Sequence, residues 1–318
     1  MTERAAWSFV SGQAGALRGR LLDRRAVLAV RQATTAEERR ARLRASVLFA
    51  DAPPAERPFD EVEERFVQVS RSLGAQSPDA RVADLLLAGR DWAELREAAR
   101  AAAAGTTRTG ARADGDRWAA VLRGDAQEPG TEAFAAGARR AVAERPREAD
   151  AGTWVDRVLD AHEAAALVRT AREAGGEPLG GWIETWVRLR GALALVRARA
   201  LDWDAGAMWT EWRLAGLDSL ELADVALGDD ALRGAALRAL GLPVPDKETG
   251  PVALERAVDE RMSHVVSGAS GEPFGPEVLF AFLWSLRIEA LNLRIVLAAA
   301  DSGMSEQRIA AELRTEAA

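Results

Sequence analysis

Two histidines, one lysine, no cysteine and one adjacent pair of aspartates are the main chemical resources of this 318-residue chain. Lys247 sits in PDKETG, which lacks the glycine pattern of a phosphate-cradling loop and leaves a single amine for Schiff-base chemistry. His162 and His264 stand 102 residues apart, neither in an H-x-x-x-H spacing, and a zinc site needs more ligands than that. His162 falls on the apolar side of its helix, the place of a hydrogen-bonded core or boundary histidine. The absence of cysteine excludes disulfides, thiolate metal sites and a cysteine nucleophile. Ser270, in GASGE, lacks the second glycine of a nucleophile elbow. Asp229-Asp230 could begin the magnesium-binding aspartate cluster of an α-helical diphosphate cyclase. The carboxylate expected three residues after Asp230 is instead Arg233, and capping of a helix from Ala231 explains the pair better. The expectation is a non-catalytic protein with no cofactor and no metal.

The elements that could position a site are helices. Ala, Leu, Arg and Glu dominate, and these form helices strongly. No stretch alternates β-branched with polar residues as a strand would. Net charge is −7, which argues against a nucleic-acid footprint. The opening MTERAAWSFV lacks an apolar signal-peptide core, so a cytoplasmic protein with membrane contact only through a partner is expected.

In order, the spacing predicts a helix over 7–30 interrupted by Gly12, Gly15 and Gly19. Overlapping capping boxes, Thr34-x-x-Glu37 and Thr35-x-x-Glu38, predict a second near 36–50. DAPPAERP (51–58) reads as a loop. Phe59, Val62, Phe66, Val69 and Leu73 predict an amphipathic helix closed by Gly74. Another covers 79–88, and Asp91 is read as the cap of the next, ending at Gly105. GTTRTGARADGDR (105–117) reads as a surface loop and 117–144 as two Ala-rich helices. Thr153-x-x-Asp156 opens a long helix ending at Gly175-Gly176. After a GGEPLGG turn, 182–201 is helical, then three or four shorter helices lead to Gly241. Residues 242–251 connect to a helix reaching about Val266. A faint repeat links LLLAGRDW (85–92) to VRARALDW (196–203), in both of which the Asp is read as a cap, with LAAAD (297–301) as a third copy without the Trp. Such a repeat implies stacked or radially arranged helical units.

The last apolar run, 275–300, spans 26 residues, the length of a membrane span. Arg287, Glu289 and Arg294 in its middle exclude that reading. On a helix, Ser285, Glu289 and Asn292 form one polar ribbon and Arg287 with Arg294 the opposite one. Two apolar flanks between them predict a helix packed among neighbours, its charges paired mainly within the chain. Gly303 is placed to end it, and Ser305 to cap a short terminal helix.

This pattern, P-x(5)-F-L-x(5)-E-x-x-N-L-R-I-V-L followed by G-M-S-E-x-x-I, resembles the C-terminal signature of the C subunit of prokaryotic V/A-type ATPases, a family related to the d subunit of the vacuolar enzyme. The resemblance rests on Phe282-Leu283, Glu289 and Asn292-Leu293-Arg294. Trp7-x-Phe9 and Leu21-Leu22 are compatible with the family's N-terminus, and 178–240 is similar in layout. Arg287 stands where a carboxylate is common, and Arg188 and Gly191 stand where the central repeat usually carries Asp and Asn. The resemblance implies one all-α domain over 1–318, a funnel of three similar helical subdomains with the terminal segments (about 1–60 and 270–318) packed together. It also implies a non-catalytic central-stalk subunit on the cytoplasmic face of the membrane. There it would join the central shaft of the rotary motor to the membrane rotor ring for proton or sodium transport.

Two surfaces are candidates for partner contact. Arg39, Arg40 and Arg44 belong to a basic cluster beside Glu37 and Glu38, read either as a solvated face or as a contact to an acidic partner. Trp209 and Trp212, three apart among ten tryptophans, serve either as core or as an aromatic contact. The competing function is a helical adaptor or scaffold outside rotary motors. An α-helical prenyl-type enzyme stands third.

Overall fold

The computed structural model describes residues 3–51, 54–55, 58–106, 114–125, 132–146, 149–245, 250–300 and 303–315. Among these there is no strand, and fifteen α-helices carry the fold. They are α1 (Glu3–Arg18), α2 (Arg24–Gln32), α3 (Ala36–Leu43), α4 (Pro58–Gln76), α5 (Arg81–Asp91), α6 (Ala93–Ala103), α7 (Asp114–Arg123), α8 (Glu132–Ala143), α9 (Ala151–Ala200), α10 (Ala205–Leu214), α11 (Ala223–Leu227), α12 (Asp230–Ala239), α13 (Gly250–Val266), α14 (Pro276–Ala300) and α15 (Glu306–Glu312). The all-α expectation holds. The chain divides into two compact units.

Unit 1 gathers residues 1–86, 171–182 and 245–318. Its axis is α14, against which α1, α2, α4, α13 and α15 pack. Leu279, Phe280, Phe282, Leu283, Trp284, Leu286, Ile288, Leu293 and Val296 are fully buried there. A helix apolar on both flanks is covered on both, as burial of nonpolar surface demands. α3 stops at Leu43, earlier than the predicted 50. Its cap is the Thr35 side chain, which accepts from the Glu38 N–H, while Glu38 accepts from the Thr34 N–H at 2.8 Å. The second of the two candidates thus supplies the cap, with the return bond of Glu38 made to Thr34, one residue before the N-cap. Gly74 does not close α4, which runs to Gln76. A Cβ on Gly74 would lie 2.8 Å from the Ala83 Cβ, so this glycine lets α4 and α5 approach closely.

Unit 2 holds residues 87–170 and 183–244. It holds most of α9, whose residues 171–182 are counted in unit 1; α9 is capped by Asp150 accepting from the Thr153 N–H at 2.8 Å. α9 is two helices joined at Gly176, whose φ of 64° and ψ of −156° no ordinary side chain adopts comfortably. The predicted GGEPLGG turn thus contracts to one residue, and Pro178 falls in the first turn of the following helix, where a missing N–H is tolerated. The two arms run back along each other. Glu163 meets Arg190, and Asp160, Ala164 and Leu167 share a cleft with Val187 and Ala194.

In the first two copies of the internal repeat the Asp is not the N-cap of the next helix. α5 runs through Asp91 and α6 starts after Trp92. Asp202 adopts φ 56°, and Asp204 caps α10 instead. Trp92 is buried on Phe134 while Trp203 is exposed. Most of the predicted 105–117 loop, residues 107–113, lies outside the described residues, as do much of the 51–58 loop, Lys247 within the 242–251 connector, and Asp301 of the third repeat copy.

The geometry at Gly176 generates a paired expectation. Gly176→Ala lowers unfolding free energy by about 1–3 kcal/mol through strain at positive φ. Gly181→Ala, helical and with open space around its Cβ position, raises it by about 0.5–1 kcal/mol. Urea denaturation of both variants decides, and an unaffected Gly176→Ala refutes the one-residue turn.

Candidate functional site: the polar ribbon of the last long helix

Glu289 and Asn292 are buried on one side of α14, and each holds a distant part of unit 1. The Glu289 carboxylate accepts from the backbone N–H of Leu22 at 3.1 Å and from the Ser46 hydroxyl. It thus fixes the entry to α2 and the start of the 3₁₀ turn at Val47–Phe49. Ser46 in turn accepts from the Leu48 N–H at 3.0 Å. Asn292 makes a two-way pair with the backbone of Arg314, donating to its carbonyl at 3.0 Å and accepting from its N–H at 2.8 Å. That closes the chain after α15 back onto α14. An amide can do both at once; a carboxylate cannot.

Arg314 then turns its side chain to Asp259 of α13, donating from Nε to Oδ2 at 3.2 Å. Arg287 donates to the other oxygen of the same carboxylate at 3.1 Å. Asp259 is buried and bridges two guanidiniums, so Arg287 is matched by a carboxylate on the neighbouring helix. Arg287 also lies over the Trp284 ring, 4.8 Å from its centroid, and the Trp284 Nε1–H donates to Ser263 at 3.0 Å. Further along, Arg294 reaches Glu63 of α4 at 3.4 Å and covers Phe59. Leu293 is fully buried between these contacts. The terminal helix is tied down as well: Arg24 and Arg256 donate to carbonyls of Ala310 and Ala311, and Gln32 to Glu306 at 2.9 Å. Sequence periodicity separates the ribbons; Asp259 and Arg314, their partners, carry no local signal and were missed.

Unit 2 has its own ionic cluster. Arg96 of α6 meets Asp160 at 2.7 Å, Glu163 at 3.1 Å and Asp156 at 3.3 Å. Arg100 meets Asp156 at 2.7 Å and Arg190 meets Glu163 at 3.4 Å. Burial pushes the Asp160 carboxyl above its ordinary range, opposed by the Arg96 charge. The adjoining cleft, about 50 Å³, is lined by Asp160, Glu163, Arg190 and Trp212 and has room for a water or two. Every carboxylate of the cluster has an arginine, and among the described residues no group of three or more His, Asp or Glu could hold a metal ion. Asp229 accepts from the Ala231 and Leu232 N–H groups and Asp230 pairs with Arg233, which is capping chemistry. His162 is half-buried beside Gly137, whose Cβ would lie 2.5 Å from its Cγ.

The structure separates the two contact candidates. Arg40 and Arg44 are exposed and Arg39 is half-buried. Trp209 and Trp212 are both buried, which corrects the contact reading in favour of core packing. The edge of Trp212 occupies space that a Cβ on Gly191 would fill, 2.6 Å away, so Gly191 here serves a close packing that asparagine would obstruct. Arg188 donates to the Ser219 carbonyl at 3.3 Å.

Residues 158–312, just under half of the chain, match the ATP synthase (C/AC39) subunit family. That stretch includes the Glu289–Asn292–Arg294 ribbon, and the match supports a relationship to the subunits of V/A-type ATPases. No curated protein matches the chain. Among the described residues no helix is long and apolar enough to cross a membrane.

Removing the Asn292 amide leaves the buried N–H and carbonyl of Arg314 unpaired. Asn292→Ala therefore lowers stability by about 1–3 kcal/mol and speeds hydrogen exchange at the Arg314 amide; unchanged protection there refutes the latch. In unit 2, burial holds the His162 pKa below its ordinary 6.5, with Arg140 acting the same way and Glu211 against. The unfolded chain then takes up a proton first as pH falls through 6.5, so this group's contribution to stability declines below that pH. His162→Gln flattens the pH dependence of the melting midpoint between about pH 7 and pH 5, and an unaltered slope assigns that dependence elsewhere.

Proposed function

We propose that the chain is a non-catalytic central-stalk subunit of a rotary V/A-type ATPase or ATP synthase. In this reading it is a socket on the cytoplasmic face of the membrane, coupling the central shaft to the proton- or sodium-carrying rotor ring. The observation that carries the reading is the α14 ribbon, which lies inside the family match. A part that passes torque must not lose its ends under load. Here both terminal segments of the chain are hydrogen-bonded to one buried helix, and packed helices yield little. Buried polar groups with all partners in place add geometric specificity, since any slippage of α14 leaves Glu289 or Asn292 unsatisfied.

The three-subdomain funnel belongs to this proposal, as does a contact role for Arg39, Arg40 and Arg44 toward an acidic partner. The exposed side chains of Arg40 and Arg44 suit a rim contact, which steers assembly more than it adds affinity. Membrane association would run through the ring alone.

A mild-detergent pull-down of the tagged protein from its own membranes tests the proposal, with bound chains identified by mass. Expected is recovery of a small, highly apolar ring protein together with a long coiled-coil shaft protein. Recovery of soluble partners alone, with the protein absent from membranes, would overturn it in favour of a scaffold.

A further inference from the structure

Besides Leu214 and Val244, unit 2 leaves four large apolar side chains exposed to water. Leu201 is 58% exposed, Trp203 42%, Leu227 65% and Leu232 52%. Three contacts draw together the helix ends on which they sit. The Arg199 guanidinium donates to the carbonyls of Ala226 at 2.7 Å and Gly228 at 3.0 Å, drawing the end of α9 against the end of α11. Leu227 Cδ2 lies 3.1 Å from where a Cβ on Gly206 would stand, one turn past Trp203. A Cβ on Gly228 would meet that of Leu232 at 2.9 Å, bringing the start of α12 to the same place. Between Leu201 and Trp203 the backbone of Asp202 is held at φ 56°, a conformation that L residues adopt infrequently. Relaxing it would reorient both neighbours.

The stretch that carries this patch is predominantly acidic. From Leu201 to Leu232 the sequence carries eight acidic residues and one basic. Glu211 is buried and paired with Arg140 at 2.8 Å; the other seven are exposed. Arg213 answers Asp218 at 3.0 Å and Arg233 answers Asp230; Asp204 and Asp229 cap helices, and Asp202, Glu221 and Asp224 add further exposed negative charge. Among nearby cations, Arg199 is directed inward to backbone carbonyls. A membrane surface, itself negative, would be repelled.

We propose that Leu201, Trp203, Leu227 and Leu232 form a docking surface for a partner protein's amphipathic helix whose apolar stripe is edged with lysine or arginine. Apolar stripe on apolar patch supplies the affinity, with Trp203 as the anchor expected of such sites. Cationic edges against the acidic rim supply orientation and speed of encounter. The surface belongs to unit 2 and owes nothing to the α14 ribbon, so its chemistry is the same whichever complex the chain joins.

The test uses the full-length chain and a fluorescein-labelled helical peptide of about 18 residues, with a leucine stripe flanked by lysines. A second peptide has glutamate at each lysine position. In anisotropy titrations the lysine peptide binds saturably, and the glutamate peptide binds at least about tenfold more weakly. Trp203→Ala and Leu227→Ala each weaken binding of the lysine peptide by about fivefold or more, with unchanged far-UV circular dichroism. Asp224→Asn weakens it about twofold and, like added salt, acts through the screened rim charge. Phe9→Ala removes an exposed ring of unit 1 and leaves binding unaltered. Equal affinity for both peptides, indifference to Trp203→Ala and Leu227→Ala, or loss with Phe9→Ala would overturn the proposal, as would no saturable binding.

Discussion

A carboxylate and an amide buried on one helix must find partners, and in this chain those partners lie at its two ends. An unpaired buried carboxylate costs far more than one hydrogen bond returns, and Leu22 and Ser46 both help to satisfy Glu289. Arg314 does the same for Asn292. The order of α2, the 3₁₀ turn after Ser46, and the tail after α15 thus depend on one buried ribbon. The dependence runs both ways. Without those segments α14 would expose an apolar flank to water and leave its polar ribbon unmatched.

The outer ribbon works differently. Arg287 and Arg294 are partly exposed, and pairs at that depth contribute modestly because water screens them. Their fixed value is positional. Asp259 is buried between Arg287 and Arg314, so its two oxygens set the distance between α13, α14 and the tail. Removing either arginine leaves a buried charge half-answered, whereas removing a surface pair would change little. The same contrast separates the unit 2 cluster, where Arg96 holds three carboxylates of α9 at once, from the exposed pair of Arg123 and Asp125.

Much of this was legible in the sequence. The helical class follows from composition, and the two ribbons of α14 follow from spacing alone, because a 3.6-residue period fixes which side chains share a face. The capping of α12 by Asp229 and of α15 by Ser305 follows from short-range chemistry. What was not legible is tertiary. Nothing near Gly74 distinguishes a glycine that ends a helix from one that lets Ala83 approach, since either role needs only a missing Cβ. The Asp-Trp repeat failed for a related reason: the helix α5 continues through Asp91, while Asp202 is passed over for Asp204. Equal letters sat in unequal backbones. Trp209 and Trp212 illustrate the last ambiguity. A tryptophan pair at helical spacing looks alike from sequence whether it is packed in the core or faces solvent.

Tryptophan is not placed at random in this fold. Trp7, Trp92, Trp118, Trp154, Trp186, Trp209, Trp212 and Trp284 are all buried, each contributing a large apolar area to a chain otherwise built of small alanines. Alanine-rich helices have shallow grooves and bury little per residue, so a few large rings fill the space between them, as Trp92 does in stacking on Phe134 at 4.6 Å. In such a fold an indole left in water at Trp203 is out of keeping with its fellows. It stands beside a strained Asp202 and among exposed leucines, on an edge where acidic residues outnumber basic ones. Packing within the chain gives no reason for that combination, and an apolar, cationic surface pressed against it does.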